Sequence, residues 1–143
     1  MRNLYTAVAT AGGGREGEVV SDDGVLDLRL ERPTELGGPG GDFTNPEQLF
    51  AAGYAACFHS ALKRVAEQQG LDVELSEITA KVTLGLEEDK AFGLAVTLTA
   101  ALPTLDPPDG EKLMHDAHQV CPYSRATRGN IQVTLELAPA PGA

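Results

Sequence analysis

The sequence is poor in the features that mark secreted, membrane-embedded and nucleic-acid-binding proteins. It contains only two cysteines in 143 residues, whereas small secreted domains that depend on disulfides carry more of them. The N-terminal residues contain no apolar signal core, and no stretch approaches the roughly 20 apolar residues that span a bilayer. The net charge of −10 argues against nucleic-acid or acidic-membrane partners, which require a cationic surface. We therefore expect a cytoplasmic protein whose cysteines begin in the reduced state.

Nucleotide-binding and serine-hydrolase motifs are absent as well. The glycine-rich segment 37–41 lacks the lysine and serine of a phosphate-binding loop, and no serine nucleophile elbow occurs. A chain of 143 residues fits one domain, 1–143, and a monomer of this size buries only about two-thirds of its unfolded surface. We therefore expect a single domain, and oligomerisation is compatible with its small size.

The pattern of apolar residues predicts an α+β fold with a largely antiparallel sheet. Six strands are expected, at 4–9, 16–20, 25–30, 73–86, 93–102 and 131–137. The glycines at 12–14 and the cluster at 21–24 are typical of turns between the first three strands. A loose tail is expected at 139–143.

The first helix has a strong N-terminal signal and a very apolar first half. Asn45 can cap it, Pro46 suits its first position, and Glu47 is favourable in its first turn. Gly70 is expected to end it. Residues 49–58 are apolar nearly all round, which is typical of a buried helix.

A second helix is expected after a proline-rich connector at 103–109. Its apolar stripe contains Leu113, Ala117, Val120 and Cys121, and Pro122 is expected to end it. Cys121 would then lie at the negative end of the helix dipole, which disfavours a thiolate.

Cys57 is the better candidate for a reactive thiolate, although a buried structural cysteine is the simplest interpretation. It lies too far from the helix N-terminus to benefit from the dipole, and no cation lies three or four residues away on the helix. A reactive Cys57 therefore needs an arginine or lysine from elsewhere in the fold. Arg15, in the loop Gly14-Arg15-Glu16-Gly17, is one candidate, and Arg125 and Arg128 are alternatives.

A metal site is a competing interpretation. His115, His118 and Cys121 recur every three residues, and Cys57 with His59 could complete a zinc-like ligand set. However, steps of three drift around a helix, and the spacing lacks the short ligand pairs of structural zinc sites. We therefore expect no metal.

Several segments resemble the organic hydroperoxide resistance branch of the OsmC-like family. They are GGREG at 13–17, ELGG at 35–38, NPEQLFAAGYAACF at 45–58, HQVCPYS at 118–124 and TRGN at 127–130. The resemblance covers nearly the whole chain in order. One departure is Arg125, where asparagine is expected, which affects the electrostatics near Cys121.

The resemblance implies an OsmC-like fold, with largely antiparallel sheets packed on a buried central helix in an intertwined homodimer that has two interfacial active sites. It implies that Cys57 is the peroxidatic thiol, Cys121 the resolving thiol and Arg15 the active-site arginine, which Glu47 orients. The expected substrates are organic hydroperoxides, including those of fatty acids. The expected reductant is a dihydrolipoyl group on a lipoylated protein, with no metal, haem or flavin cofactor. Apolar residues near Cys57 are expected to contact the substrate: Leu49, Phe50, Phe58 and Phe43.

This chemistry leaves two other interpretations open. A redox-sensing protein could use the same cysteine pair without turnover, and a small zinc protein is a third alternative.

The spacing of Glu47 and Cys57 adds a geometric constraint. Ten residues of a continuous helix separate them by about 15 Å along its axis, which is a long span for one glutamate and one arginine side chain. Either the helix breaks, for example at Gly53, or Glu47 comes from a partner chain. We expect the partner chain, because the first half of the helix is too apolar to be exposed in a monomer.

Overall fold

The computed structural model describes residues 1–139. Of the predicted tail at 139–143, residues 140–143 lie outside the described residues. The chain divides into two compact units, one of residues 1–49 and one from residue 50 onward. The expectation of a single domain stays a prediction.

The first unit contains a three-stranded antiparallel sheet. Its strands are β1 (Ala9–Gly12), β2 (Glu18–Ser21) and β3 (Asp27–Arg29), in that spatial order. The prediction of a strand at 4–9 was wrong except at its last residue. The β1–β2 register ends at the pair Ala9–Ser21, because β2 leads into the turn after Ser21. The Asp22 N–H still bonds to the Val8 carbonyl at 3.0 Å, but residues 1–8 pair with no strand in the described part of the chain.

A short 3-10 turn, Gly14–Glu16, joins β1 to β2. Gly17 follows it, and a Cβ atom there would overlap the carbonyl of Gly12. This close backbone approach requires glycine, and it allows the turn that carries Arg15 to be tight.

Helix α1 (Pro46–Gln69) confirms the predicted start and end. The Asn45 Oδ1 atom accepts a hydrogen bond of 2.8 Å from the Gln48 N–H, and Gly70 has a left-handed φ of 68°. The suggested break at Gly53 was wrong, because α1 continues through it.

Burial along the first half of α1 is less complete than predicted. Only Tyr54 and Phe58 are buried there, and the side chains of Ala52 and Ala56 are exposed. One chain therefore covers one face of this apolar segment rather than its whole circumference.

The second sheet contains β4 (Glu77–Leu86), β5 (Phe92–Ala101) and β6 (Gln132–Leu137). Strands β4 and β5 are antiparallel, whereas β5 and β6 are parallel. Along β4 every second side chain from Ile78 to Leu84 is half-buried and those between are exposed, whereas Leu86 is exposed near the turn.

The helical region after β5 differs from the prediction. Helix α2 (Pro107–Val120) begins inside the segment expected to be a connector, because Asp106 precedes two prolines that suit a first helical turn. Pro122 ends α2 but also begins α3 (Pro122–Thr127), which was not predicted. Val120 is half exposed, so it is not part of the buried stripe.

One hydrophobic core joins α1, α2 and the second sheet. Its largest buried members are Tyr54, Phe58, Leu62, Val96, Leu98, Leu113 and Met114. The fold is α+β, as predicted.

Candidate active site

The sulfur atoms of the two cysteines lie side by side. Cys57 is half-buried in the middle of α1, and Cys121 is fully buried between α2 and α3. Both are free thiols, with 3.5 Å between their Sγ atoms. A disulfide has an S–S length of about 2.0 Å. A short approach of the two sulfurs would therefore allow dithiol–disulfide chemistry.

Cys121 occupies a junction that the sequence analysis described only in part. Its N–H bonds to the Ala117 carbonyl at 2.9 Å, and its carbonyl accepts the N–H of Arg125 at 3.0 Å. It is therefore both the residue that follows α2 and the residue that precedes α3. The predicted dipole argument against a Cys121 thiolate is weaker than expected, because the positive end of a second helix meets the negative end of the first.

Burial raises the pKa of the Cys57 thiol above its ordinary value. The Tyr123 backbone N–H lowers this pKa, and the nearby Cys121 thiol raises it. Among the described residues from 50 onward, no cation is one of the groups that shift it. A cation is therefore still needed to make Cys57 a thiolate at neutral pH.

Arg15 and Glu47 form a bidentate ion pair within the first unit. Arg15 Nη1 donates to Glu47 Oε2 and Arg15 Nη2 donates to Glu47 Oε1, each at 2.7 Å. The hydrogen bonds from Arg15 hold the pKa of Glu47 below its usual range, and the same pairing raises the pKa of Arg15. The pair presents an oriented guanidinium on a short turn.

A cleft of about 510 Å³ lies over Cys57. Arg64 and Gln68 contribute polar groups, and Val65, Val120 and Pro122 contribute apolar surface. The sequence analysis did not identify Arg64, although it lies seven residues, or about two turns, after Cys57 on α1.

The four residues expected to contact substrate lie in different surroundings. Phe50 lines a second cleft of about 390 Å³, next to Tyr123. Phe43 lines a pocket of the first unit, and Leu49 is half-buried. Phe58 is fully buried in the core, so it offers no surface to a bound molecule.

Two histidines of the alternative metal site form other hydrogen bonds. No group of three or more histidine, cysteine, aspartate or glutamate side chains within 1–139 is arranged to hold a metal ion. His59 Nε2 instead bonds to Ser76 Oγ at 2.9 Å, and His118 Nδ1 bonds to Ser124 Oγ at 2.7 Å. Arg125 is exposed, while Arg128 donates to the His118 carbonyl at 2.6 Å.

Sequence analysis missed a buried polar cluster beside the cysteines. The Tyr54 hydroxyl lies 2.9 Å from Ser124 Oγ and 3.2 Å from Thr127 Oγ1. Tyr54 precedes Cys57 by three residues, and Ser124 follows Cys121 by three. The only sequence signal was a tyrosine in an otherwise apolar helix segment.

No helix in the described part of the chain combines the length and apolar character needed to cross a membrane.

Comparisons with known proteins place this geometry in a family. The sequence model of the OsmC-like protein family matches residues 38–136. An organic hydroperoxide resistance protein of Xanthomonas axonopodis pv. citri (strain 306) is 56% identical over 136 residues, covering 94% of this chain and 95% of the relative.

Solved structures agree in fold. The crystal structure of an organic hydroperoxide resistance protein from Elizabethkingia anophelis has a TM-score of 0.91 and 49% identity, covering 96% of this chain and 99% of that chain. The organic hydroperoxide resistance protein OhrB of Bacillus subtilis has a TM-score of 0.87 and 48% identity, covering 95% and 100%. The chain therefore belongs to the OsmC-like protein family and, within it, to the branch of the organic hydroperoxide resistance proteins.

Proposed function

We propose that this chain is a cytoplasmic thiol-dependent peroxidase that reduces organic hydroperoxides, including those of fatty acids, to alcohols. The observation that carries the proposal is the 3.5 Å contact between two free thiols, one of which lines a cleft. The names of the similar proteins support the substrate class, since they are called organic hydroperoxide resistance proteins.

The first chemical step is attack by the Cys57 thiolate on the distal oxygen of the hydroperoxide. The O–O bond breaks, the alkoxide leaves and takes up a proton as the alcohol, and Cys57 becomes a sulfenic acid. Cys57 suits this step because it is half-buried and lines the cleft, whereas Cys121 is fully buried.

The second step closes the disulfide. Cys121 attacks the sulfenic sulfur of Cys57, an S–S bond forms, and the sulfenic oxygen leaves as water with the thiol proton. A dithiol then reduces the disulfide by exchange and restores both thiols. We propose a dihydrolipoyl group on a lipoylated protein as this dithiol, with no other cofactor.

Arg15 would supply the cation that Cys57 lacks. Burial raises the Cys57 pKa, and a guanidinium that donates a charge-assisted hydrogen bond would lower it. Glu47 would orient Arg15 through the bidentate pair already described.

We propose further that Arg15 and Glu47 act across a homodimer. Helix α1 is continuous between Glu47 and Cys57, so its rise separates them by about 15 Å along the axis. The pair of one chain would meet Cys57 of the partner subunit. The exposed side chains of Ala52 and Ala56 on α1 favour a dimer, since they leave small apolar surface for a second copy.

Phe50 and the apolar walls of the two clefts would hold a long apolar substrate tail. Leu49 and Phe43 would make further contacts with the substrate, whereas Phe58 is buried and acts through core packing.

A steady-state assay tests the function. With dihydrolipoamide as reductant, cumene hydroperoxide should be consumed with a much higher kcat/KM than hydrogen peroxide. A redox sensor would form the disulfide without sustained turnover, so failure to exceed one turnover with either peroxide would overturn the proposal.

A further inference from the structure

The buried cluster beside the cysteines contains three hydroxyl groups and one imidazole. Tyr54 and Ser124 are fully buried and Thr127 nearly so, while His118 is half-buried at one end. The contacts run from His118 Nδ1 to Ser124 Oγ (2.7 Å), to the Tyr54 hydroxyl (2.9 Å), to Thr127 Oγ1 (3.2 Å). Thr127 Oγ1 also donates to the Ser124 carbonyl at 3.2 Å.

The number of hydroxyl protons determines which group donates and which accepts in each hydrogen bond of this cluster. Each hydroxyl has one proton to donate. If Thr127 donates to the Ser124 carbonyl, then it must accept from Tyr54. Tyr54 then accepts from Ser124, and Ser124 accepts from His118 Nδ1.

Only this direction forms all four hydrogen bonds. In the reverse direction Thr127 donates to Tyr54, which leaves the contact between Thr127 Oγ1 and the Ser124 carbonyl without a proton. The Ser124 carbonyl also accepts the Arg128 N–H at 2.9 Å, so the reverse direction leaves no group of the cluster without a partner and costs one of the four hydrogen bonds. The complete direction is favoured by that one bond.

The direction determines the tautomer of His118. Because its Nδ1 atom must donate, neutral His118 carries its proton on Nδ1, and Nε2 has the lone pair. If the hydrogen bonds had the reverse direction, neutral His118 would carry its proton on Nε2.

The cluster also connects the two segments that carry sulfur. Tyr54 lies one helical turn before Cys57 on α1, and Ser124 lies one turn after Cys121 on α3. Their hydrogen bond and the contact between the Tyr54 hydroxyl and Thr127 Oγ1 are buried polar contacts that tie α3 to α1. Loss of the Tyr54–Ser124 contact would let Cys121 move relative to Cys57.

We propose that Tyr54, Ser124 and Thr127 form a one-way hydrogen-bond chain that holds His118 as an Nδ1–H donor, and that Tyr54 and Ser124 are positioning residues for the Cys57–Cys121 disulfide. The direction of these hydrogen bonds does not depend on the peroxidase activity. Its role in catalysis rests on the proposed function.

The first test reads the His118 tautomer by nuclear magnetic resonance of its ring carbons and nitrogens, above its pKa. The protein has three histidines, so His118→Gln identifies the relevant signals. The wild type should show the Nδ1–H form. Thr127→Val has nearly the same shape and removes the last acceptor, and the side-chain hydrogen bonds that it removes are those to Tyr54 and to the Ser124 carbonyl.

Thr127→Val should convert His118 to the Nε2–H form, because Tyr54 then donates to Ser124 and Ser124 to Nδ1. Tyr54→Phe should do the same, since Ser124 keeps only His118 as a partner for its proton. Ser76→Ala, which removes the hydrogen bond to His59, is the control and should leave His118 unchanged. If wild-type His118 has the Nε2–H form, or if both variants keep the Nδ1–H form, the proposed direction of the hydrogen bonds is wrong.

The second test measures the Cys57–Cys121 disulfide in a redox buffer of reduced and oxidised dithiothreitol, with no peroxide present. Tyr54→Phe and Ser124→Ala should each lower the equilibrium constant for disulfide formation by about tenfold, the scale expected for the Tyr54–Ser124 hydrogen bond that both variants remove. Ser76→Ala should not change it. A wild-type equilibrium constant in both variants would overturn the positioning role. A normal disulfide and tautomer in a protein that consumes no hydroperoxide would overturn the proposed function and leave this inference standing.

Discussion

The Sγ atoms of Cys57 and Cys121 lie 3.5 Å apart although 64 residues separate them in sequence. Cys57 lines a cleft and Cys121 is fully buried. This asymmetry leads to the division of labour that we propose, in which the accessible sulfur meets the peroxide and the buried one meets only its neighbour.

Substitution of each cysteine should have a different effect. Cys57→Ser should abolish turnover, because it removes the attacking sulfur. Cys121→Ser should consume about one equivalent of hydroperoxide per site and then stop or over-oxidise, since no second thiol closes the disulfide. Single-turnover consumption and the mass of the oxidised protein measure both effects. Sustained turnover by Cys57→Ser would contradict the assignment.

Removal of Arg15 should shift the pH dependence of peroxide reduction to higher pH. Burial already raises the pKa of Cys57, so loss of a stabilising cation leaves less thiolate at neutral pH. The rate of Arg15→Ala at neutral pH should fall by at least about tenfold, one pKa unit of thiolate population. Glu47→Ala should have a milder effect, because it removes only the orientation of the guanidinium.

The pH–rate profile of kcat/KM is the measurement, and Arg125→Ala is the comparison. A profile unchanged in Arg15→Ala but shifted in Arg125→Ala or Arg128→Ala would assign the cation to α3 or to the residue after it.

The Arg15–Glu47 pair should lose its stabilising effect in acid. Arg15 lowers the pKa of Glu47 in the folded state, so the pair stabilises the fold at any pH above the unfolded pKa of about 4.3. That contribution is lost as pH falls through the folded pKa. It should be on the order of 1 kcal/mol, because the guanidinium is about one-third exposed and water screens the pair.

Urea unfolding of the wild type and Glu47→Gln should show this difference at neutral pH and little difference in strong acid. Glu16→Gln removes the more exposed pair with Arg32 and should change stability less. An equal effect of Glu47→Gln at both pH values would contradict the linkage.

A mixture of two defective variants should recover activity if the site forms across a dimer. A heterodimer of a Cys57→Ser chain and a Glu47→Ala chain would contain one intact site, because Arg15–Glu47 of the first chain would meet Cys57 of the second. Activity should approach half the wild-type value per heterodimer. If subunits exchange and each parent is clearly defective, the absence of recovery would place Glu47 and Cys57 in the same chain's site.

The effect of Gly53→Ala on the free energy of unfolding should depend on the side chain at position 123. Alanine favours a helix interior by about 1 kcal/mol over glycine, but a Cβ atom at Gly53 would lie 3.1 Å from the Tyr123 hydroxyl oxygen. Gly53→Ala should therefore stabilise the protein more in a Tyr123→Ala background than in the wild type. A double-mutant cycle from urea unfolding measures this coupling. Equal effects in both backgrounds would show that the ring moves aside freely.

Local chemistry in the sequence was sufficient to predict helix α1. Asn45, Pro46 and Gly70 act through nearest-neighbour geometry, and the structure places the ends of α1 where they indicate. The alternation along β4 was predictable for the same reason, since a strand exposes alternate faces whatever its partner.

Contacts between segments that are distant in the sequence determined the features of the fold that local patterns did not predict. The parallel pairing of β6 with β5 depends on how α2 and α3 return the chain, and no pattern inside β6 encodes it. Residues 4–8 have strand-like composition but pair with no strand within 1–139, because β2 ends at Ser21. Pro122 ends one helix and suits the first position of the next, and packing of Ser124 and Thr127 into the interior favours that second helix.

The sequence by itself determined which residues have the chemistry: two cysteines, and an arginine and a glutamate in recognisable motifs. Only the tertiary structure decided that Arg15 meets Glu47 in a bidentate pair, that the two sulfurs lie in contact, and that Phe58 is a core residue. The physical reason is that thiol contact and buried hydrogen bonds depend on distances of a few ångströms between segments far apart in sequence. Tyr54 is the clearest case, because its hydroxyl acquires a role only when Ser124 and Thr127 are packed against it.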